Sequence, residues 1–379
     1  MTKLQAEAHG DESRFIEDHA QTAQKLSVVR SYFGIYGNIL ASANLTRFDN
    51  KHIFLIDTHA GAGMHASREH PDGVVPGTPL IACHEAVRLQ RRYPGLRVHV
   101  RAIDNEPRWI ARLRQRVDPF VAADIGADQV DVQLLGGDFA KYLPEVLKEA
   151  QELRAPSLWV VDPYGIDLPF EELEQLQRPA RGPEVMINLD LLGIWRVNAA
   201  ARVDEAVRDA MYSGEGIGVQ ESLRRLFGGN SWQSVIDDRK TFRANAPALT
   251  SAYTDLFPRF EFRQAMQMYS TRGQLRSMVH LCHADLGAVR FKGAFEQSQE
   301  IGLLAGARLD HANKAHAALR YWEAYHGQTT SVLRLYEEHV SPTTRARFAA
   351  FASSQKRTAM VASMKPALPS PGARRRSPT

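Results

Sequence analysis

The sequence predicts an α/β fold, doubly wound about a mostly parallel sheet that an antiparallel hairpin closes. Three observations predict it. Apolar runs too short for helices, such as Ile53-Phe-Leu-Ile56 and Ser157-Leu-Trp-Val-Val161, alternate with stretches of helical period. The first run meets Asp57 and then Gly61 and Gly63, where the backbone must turn sharply and lie close to a neighbour. Late in the chain, Glu261–Tyr269 and Leu275–His283 flank Ser270-Thr-Arg-Gly273 as the arms of a hairpin.

A chain of 379 residues, 44% of them hydrophobic, can bury a large core. Its formal charge of +4 includes Arg374-Arg375-Arg376, so the folded part is nearly neutral, a balance that permits nucleic-acid contact without demanding it. Cys83 and Cys282 are the two cysteines, with no CxxC and no dense Cys/His set. That argues for a reducing, cytoplasmic setting and against a metal centre. No apolar run approaches twenty residues, so no membrane span is expected.

In order, residues 1–50 read as a polar tail and an amphipathic helix. Leu26, Val29, Phe33, Tyr36 and Leu40 carry the helical period of Lys25–Leu40, with Lys25 and Arg30 on its solvated face. Residues 51–295 read as the α/β domain. After the glycines, Ser67–Thr78 holds Pro71, Asp72-Gly73 and Pro76-Gly77, turn chemistry that makes either a lid or a plain surface loop. Thr78-Pro79 reads as an N-cap and first-turn proline for a helix reaching Leu89. A second strand over Leu96–Ile103 ends at Asp104, and the helix Pro107–Val117 follows. A third, Val130–Leu135, leads to Gly136-Gly137-Asp138-Phe139; a fourth, Ser157–Val161, delivers Asp162-Pro163-Tyr164-Gly165. The helix Phe170–Leu176 and a fifth strand, Val185–Leu191, come next. A helical insertion occupies about 195–258, broken at Gly228-Gly229. Residues 296–365 read as a small basic helical, winged-helix-like unit, and 366–379 as a disordered basic tail.

Four strands in succession therefore end in an acid, at the edge where open α/β sheets bind ligands. Gly61-Ala-Gly63-Met-His-Ala66 fits the dinucleotide pattern, yet Asp57 would repel a pyrophosphate, and the next strand-end acid, Asp104, lies more than forty residues past Asp57. S-adenosylmethionine suits the site better, since its ammonium and sulfonium are drawn to an acid. In this reading Asp57, Gly61 and Gly63 hold its amino-acid end and Asp104 its ribose, while Asp138 accepts from the adenine amine and Phe139 packs on the ring. His59 and His65 read as polar loop residues, and Trp159 as core.

Taken together, the helix Lys25-Leu-Ser-Val-Val-Arg-Ser-Tyr32, the loop Asp57-Thr-His-Ala-Gly-Ala-Gly63, Gly77-Thr-Pro-Leu80 and Asp162-Pro-Tyr-Gly165 resemble the three-Cys-motif partner proteins. The hairpin strand before Gly287, in Leu286-Gly-Ala-Val-Arg-Phe-Lys292, completes the match, which covers roughly residues 20 to 350. The resemblance implies an S-adenosylmethionine-dependent methyltransferase-like Rossmann core working with a three-Cys-motif partner protein. Asp162-Pro163-Tyr164-Gly165 also resembles the D-P-P-Y motif of amino-methyltransferases, in which the Asp and a proline carbonyl hold the target amine and an aromatic stacks on a flipped base. Tyr164 replaces the second proline here and Gly165 the aromatic. The expected reaction is methyl transfer to an amine nitrogen of RNA or DNA, with Asp162, Pro163 and Tyr164 at the acceptor. The rivals are a non-catalytic scaffold for the partner protein and an NAD-dependent enzyme.

Overall fold

The computed structural model describes residues 19–43, 50–66, 74–124, 130–177, 183–200, 219–237, 241–269 and 275–306. The winged-helix-like unit beyond 306 and the basic tail lie outside them. Contacts divide the chain into two compact units, residues 1–295 and 296–379, and of the second the described part is the end of one helix.

The chain enters through helix α1 (His19–Ala43), strand β1 (His52–Asp57), a short ribbon of β2 (Met64–Ala66) and β3 (Val74–Pro76), and α2 (Thr78–Arg92). It continues through β4 (Arg97–Asp104), α3 (Pro107–Asp124), β5 (Val130–Gly136), α4 (Phe139–Glu152), β6 (Ser157–Val161), α5 (Phe170–Glu174) and β7 (Glu184–Leu189). Helices α6 (Leu191–Ala200), α7 (Val219–Phe227) and α8 (Phe242–Thr254) precede the hairpin of β8 (Phe262–Tyr269) and β9 (Leu275–Cys282), and α9 (Asp285–Gly306) follows.

Seven strands form one sheet in the order β5-β4-β1-β6-β7-β9-β8. The pairs of β1 with β4 and β6, β4 with β5, and β6 with β7 are parallel, whereas β9 runs against both β7 and β8. Numbered along the chain within the sheet, that is 3-2-1-4-5-7-6 with strand 7 reversed, the methyltransferase-type arrangement. The central strands are buried on both faces, as parallel strands covered by helices must be. On one face Ile53, Leu55, Val98, Val100, Leu158 and Met186 pack against α1, α2 and α3. On the other, Phe54, Ile56, Trp159, Val185 and Ile187 meet α4 and the helices α6 to α8. Trp159 is core as expected, its indole N–H donating to Ser157 Oγ at 3.0 Å.

Several expectations change. Lys25 is not on a solvated face but 7% exposed, for reasons given below. Gly77, not Thr78, caps α2, with no side-chain capping bond, and Thr78 is buried within the first turn. Around the insertion after the glycines, β2 and β3 pair as a ribbon that sets Met64 against Pro76; residues 67–73 lie outside the described residues. Leu286–Lys292 is not the end of a hairpin strand but the start of α9.

The glycine loop shows why glycine is required. Gly63 has φ +78°, and a Cβ there would stand 2.4 Å from Leu113 Cδ1. Gly77 N–H donates to Gly63 O at 2.7 Å, so two backbones touch where side chains would keep them apart. Gly61 also has a positive φ, +57°, but open space beside it. Gly61→Ala should therefore cost about 1 kcal/mol through left-handed strain alone. Gly63→Ala should cost about 2–4 kcal/mol, because overpacking against Leu113 adds to that strain. Chemical denaturation of the two variants side by side tests this ordering.

Candidate functional site

Strand alternation decides where the strand-end acids point. Asp57 is in phase with Ile53 and Leu55, Asp104 with Val98 and Val100, and Asp162 with Leu158 and Val160, all residues of the α1–α2–α3 face. Asn188, in phase with Met186, joins them. A polar row thus crosses one edge of the sheet on one face, strand by strand from β4 to β7.

Each member of the row is held differently. The two oxygens of Asp104 accept from Gly61 N at 2.8 Å and Glu106 N at 2.9 Å, tying the glycine loop to the approach of α3. An ionised carboxylate has about four acceptor sites, so each oxygen keeps capacity for a ribose hydroxyl. Asp57 is 3% exposed and accepts from His59 N at 3.1 Å. Burial pushes its carboxyl up to about 7, against the hydrogen bond from His59 and with added repulsion from Asp162. Asp162 behaves in the opposite way. Burial alone would raise it, but the ammonium of Lys25 and the amide of Asn188, whose Nδ2 donates to Asp162 Oδ1 at 2.6 Å, hold it down at about 2. Lys25 Nζ reaches the other oxygen from α1, 137 residues away in sequence.

Lys25 and Asn188 are the functional residues that sequence reasoning missed. A signal for Lys25 existed: with Val29, Tyr32 and Tyr36 it falls at helical spacing on the buried stripe, so a core position was available to it. Asn188 sits inside an apolar strand, where a polar residue needs a partner. With its amide turned to Asp162, its Oδ1 is buried without a hydrogen bond.

Asp138 and Phe139 stand apart from that row and line a cavity of about 80 Å³, together with Thr58, His59, Asn105 and Glu172. Asp138 is the N-cap of α4, accepting from Ala140 N at 3.0 Å. Phe139 is 5% exposed, its ring centroid 5.9 Å from that of His59. Burial lowers the His59 imidazole in spite of four carboxylates, Asp162 and Asp104 foremost, and raises Glu172 to about 7 with help from Asp138. Perturbed groups gathered around a cleft are the usual mark of a functional site. In the segment after β6, Pro163 is buried, Gly165 has φ +74°, and Tyr164 is 80% exposed.

Among the described residues, metal-ligand spacing occurs once, at His99, Asp131 and Glu149. Arg101 fills it. The guanidinium is wholly buried and pairs with Asp131 at 2.6 Å and Glu149 at 2.5 Å, so a cation is already in place. No described helix is long and apolar enough to cross a membrane.

Two outcomes follow from this geometry. Lys25→Met should leave Asp162 charged and half-buried with Asn188 alone beside it, a loss of about 2–3 kcal/mol, part of which Lys25→Met/Asp162→Asn should restore. Denaturant unfolding of both variants measures it. For Asp57, the folded carboxyl lies above its ordinary value of 3.8 at about 7. Folding therefore takes up a proton, and the stabilisation present below about pH 4 is lost as pH rises through 7. Melting temperatures of the parent against Asp57→Asn should converge at low pH and diverge above it, the parent losing ground.

No family model matches the chain, and neither does any curated protein. Among solved structures, the methyltransferase domain of bacterial CtHen1-C is 12% identical with a TM-score of 0.29, covering 68% of this chain and 100% of that one. A provisionally assigned O-methyltransferase from Klebsiella pneumoniae is 12% identical with a TM-score of 0.27, over 69% of this chain and 90% of that one. A provisionally assigned sarcosine dimethylglycine methyltransferase from Galdieria sulphuraria is 12% identical with a TM-score of 0.24, over 66% and 86%. These likenesses are weak, and the fold assignment rests on the strand order and the reversed β9.

Proposed function

We propose that the chain is an S-adenosylmethionine-dependent methyltransferase that acts on an amine nitrogen of RNA or DNA, in company with a three-Cys-motif partner protein. The observation that carries the reading is the row of carboxylates on one face of the sheet edge, beside a glycine loop with Gly61 and Gly63 in left-handed backbone. A cation fits this donor set and a pyrophosphate does not. When bound, the cofactor supplies a methyl group on a positively charged sulfur.

The chain's own residues do the rest. Asp57 offers its carboxylate to the ligand's ammonium, giving up the proton that burial holds on it. Asp104 keeps acceptor capacity for a ribose diol, and Asp138 and Phe139 bring the lining of the small cavity to the base. Asp162, kept ionised by Lys25, aligns the acceptor amine, with Asn188 Oδ1 as a second acceptor beside it. Positioning and neutralisation of the charge that develops on the amine supply the rate. The three-Cys-motif partner comes from the sequence resemblance alone.

A second reading, a non-catalytic scaffold for that partner, is favoured by one observation: the Lys25 ammonium already stands at Asp162, where an acceptor amine would go. The NAD-dependent alternative has the reversed β9 against it.

Calorimetry separates the three. S-adenosylmethionine and its demethylated product should bind the parent and NAD should not, with affinity for the cationic ligand rising up to about pH 7 as Asp57 ionises. Asp57→Asn should weaken the cofactor by about 1–3 kcal/mol, the worth of a charge-assisted hydrogen bond. Methyl transfer by the parent to bulk RNA or DNA is expected, with Asp162→Ala about a hundredfold slower at unchanged cofactor affinity. Tight cofactor binding without transfer to any pool would favour the scaffold, and binding of NAD alone would end the proposal.

A further inference from the structure

We propose that His59 is the general base of the methyl transfer, its Nε2 taking the proton that the target amine must lose. The inference rests on the methyltransferase reading and deepens it, because no group assigned so far can accept that proton. Asp162, held down at about 2, aligns an amine but keeps no proton near neutrality. Asp57 is committed to the ammonium of the ligand, and Asp104 accepts from the backbone of Gly61 and Glu106.

His59 lies two residues past the end of β1. The β1–β6 register runs from Phe54 with Ser157 to Asp57 with Val160, and Thr58 N–H continues the ladder onto Val160 O at 3.0 Å. Carried two residues on, the same register sets His59 abreast of Asp162. Three contacts fix the residue there. Its backbone N–H donates to Asp57 Oδ1 at 3.1 Å, its ring centroid is 5.9 Å from that of Phe139, and its Nδ1 is 2.8 Å from Thr58 Oγ1. The last contact sets the tautomer. Thr58, 1% exposed, directs its hydroxyl proton to Val160 O at 3.2 Å, which leaves Oγ1 to accept from Nδ1–H. Nε2 then carries the lone pair. It has no hydrogen-bond partner among the described residues, and the ring lines the cavity with Asn105, Asp138 and Glu172.

The charges around the ring suit a base. Burial lowers the imidazole from its ordinary value, so it is neutral at pH 7. Asp162 after β6, Asp104 at the end of β4, Asp138 at the head of α4 and Asp167 before α5 all favour its charged form, Asp162 foremost. Glu172 of α5 and Arg225 of α7 also line the cavity. The carboxylates matter at the moment of transfer. As the amine nitrogen bonds the methyl carbon, the carbon–sulfur bond breaks and its electron pair stays on sulfur as a thioether. The nitrogen sheds one proton to Nε2, and the carboxylates stabilise the imidazolium so formed until solvent takes the proton away.

The test uses the full chain. Nitrogen-15 NMR of histidine-labelled protein at about pH 7.5 should show the His59 ring as the Nδ1–H tautomer, identified by its absence from His59→Gln. Thr58→Val, which removes the acceptor, should return the ring to the Nε2–H form. Saturating S-adenosylmethionine takes the ionisation of Asp57 out of the pH profile. Transfer to bulk RNA or DNA should then fall with acid through a limb below pH 6.5, as Nε2 becomes protonated. His59→Gln should be about a hundredfold slower, lack that limb, and bind the cofactor as the parent does in calorimetry. Imidazole added to His59→Ala should restore part of the rate, which a merely structural histidine would not allow. An Nε2–H tautomer in the parent, a loss of cofactor affinity equal to the loss of rate, or no rescue by imidazole would each overturn the proposal. A parent that transfers to neither pool removes the methyltransferase reading and this proposal with it, whereas transfer that survives His59→Gln removes this proposal alone.

Discussion

Mutual repulsion along one sheet edge is the constraint that the rest of the site answers. Adjacent parallel strands deliver Asp104, Asp57 and Asp162 to the same face, one of them buried and two half-buried, and three like charges so placed repel one another. Each carboxylate escapes by its own route. Asp104 is spread over two backbone N–H donors, Asp57 is driven toward its neutral form, and Asp162 is matched by a lysine from the far end of the domain. Helix α1 is thus more than a cover for the core, because it brings the cation without which the edge would repel itself. Its Tyr32 makes a comparable contact at the opposite edge, where its hydroxyl meets Glu184 and Gly287 O.

The two edges of the sheet carry different kinds of polar chemistry. At the amino edge, Arg101, Asp131, Glu149, His99 and His52 saturate one another: His99 Nδ1 meets Asp131 at 3.0 Å and His52 meets His99 Nε2 at 2.9 Å. The hydrogen bond with His99, aided by Arg101 against the effect of burial, keeps the Asp131 carboxyl down at about 2. Nothing in that network is left over for a ligand. At the carboxyl edge, by contrast, Asn188 Oδ1 has no hydrogen bond, Asp57 holds a proton it gives up near neutrality, and a cavity opens over Asp138. Incomplete satisfaction is the signature that separates a site from a brace.

Much of this was legible in the sequence because it depends on local rules. The strands around Ile53–Ile56 and Ser157–Val161, the hairpin and the strand-end acids follow from period, composition and turn residues, and the structure has all of them. What period cannot carry is pairing between distant residues. Lys25 looked like any surface lysine because its partner lies 137 residues on, and only the closed sheet brings Asp162 beneath α1. The same holds for Thr78, which has the chemistry of a cap but sits in the first turn, because the close approach of Gly77 to Gly63 sets where α2 begins. Leu286–Lys292 misled for a different reason. Its apolar run is too short to declare a period, and Asp285 at the head of the helix outweighs it.

The glycine loop is gripped from two sides, by Gly77 N–H on Gly63 O and by Arg116 on Ala62 O, while Asp104 takes the N–H of Gly61. Three consecutive residues therefore have their backbone fixed by three separate elements before any ligand arrives. The entropy of ordering that turn is lost when the chain folds, not when a small molecule binds. A loop set in this way behaves as a mould rather than a jaw: it discriminates by shape already in place, and association with it needs no rearrangement at that point.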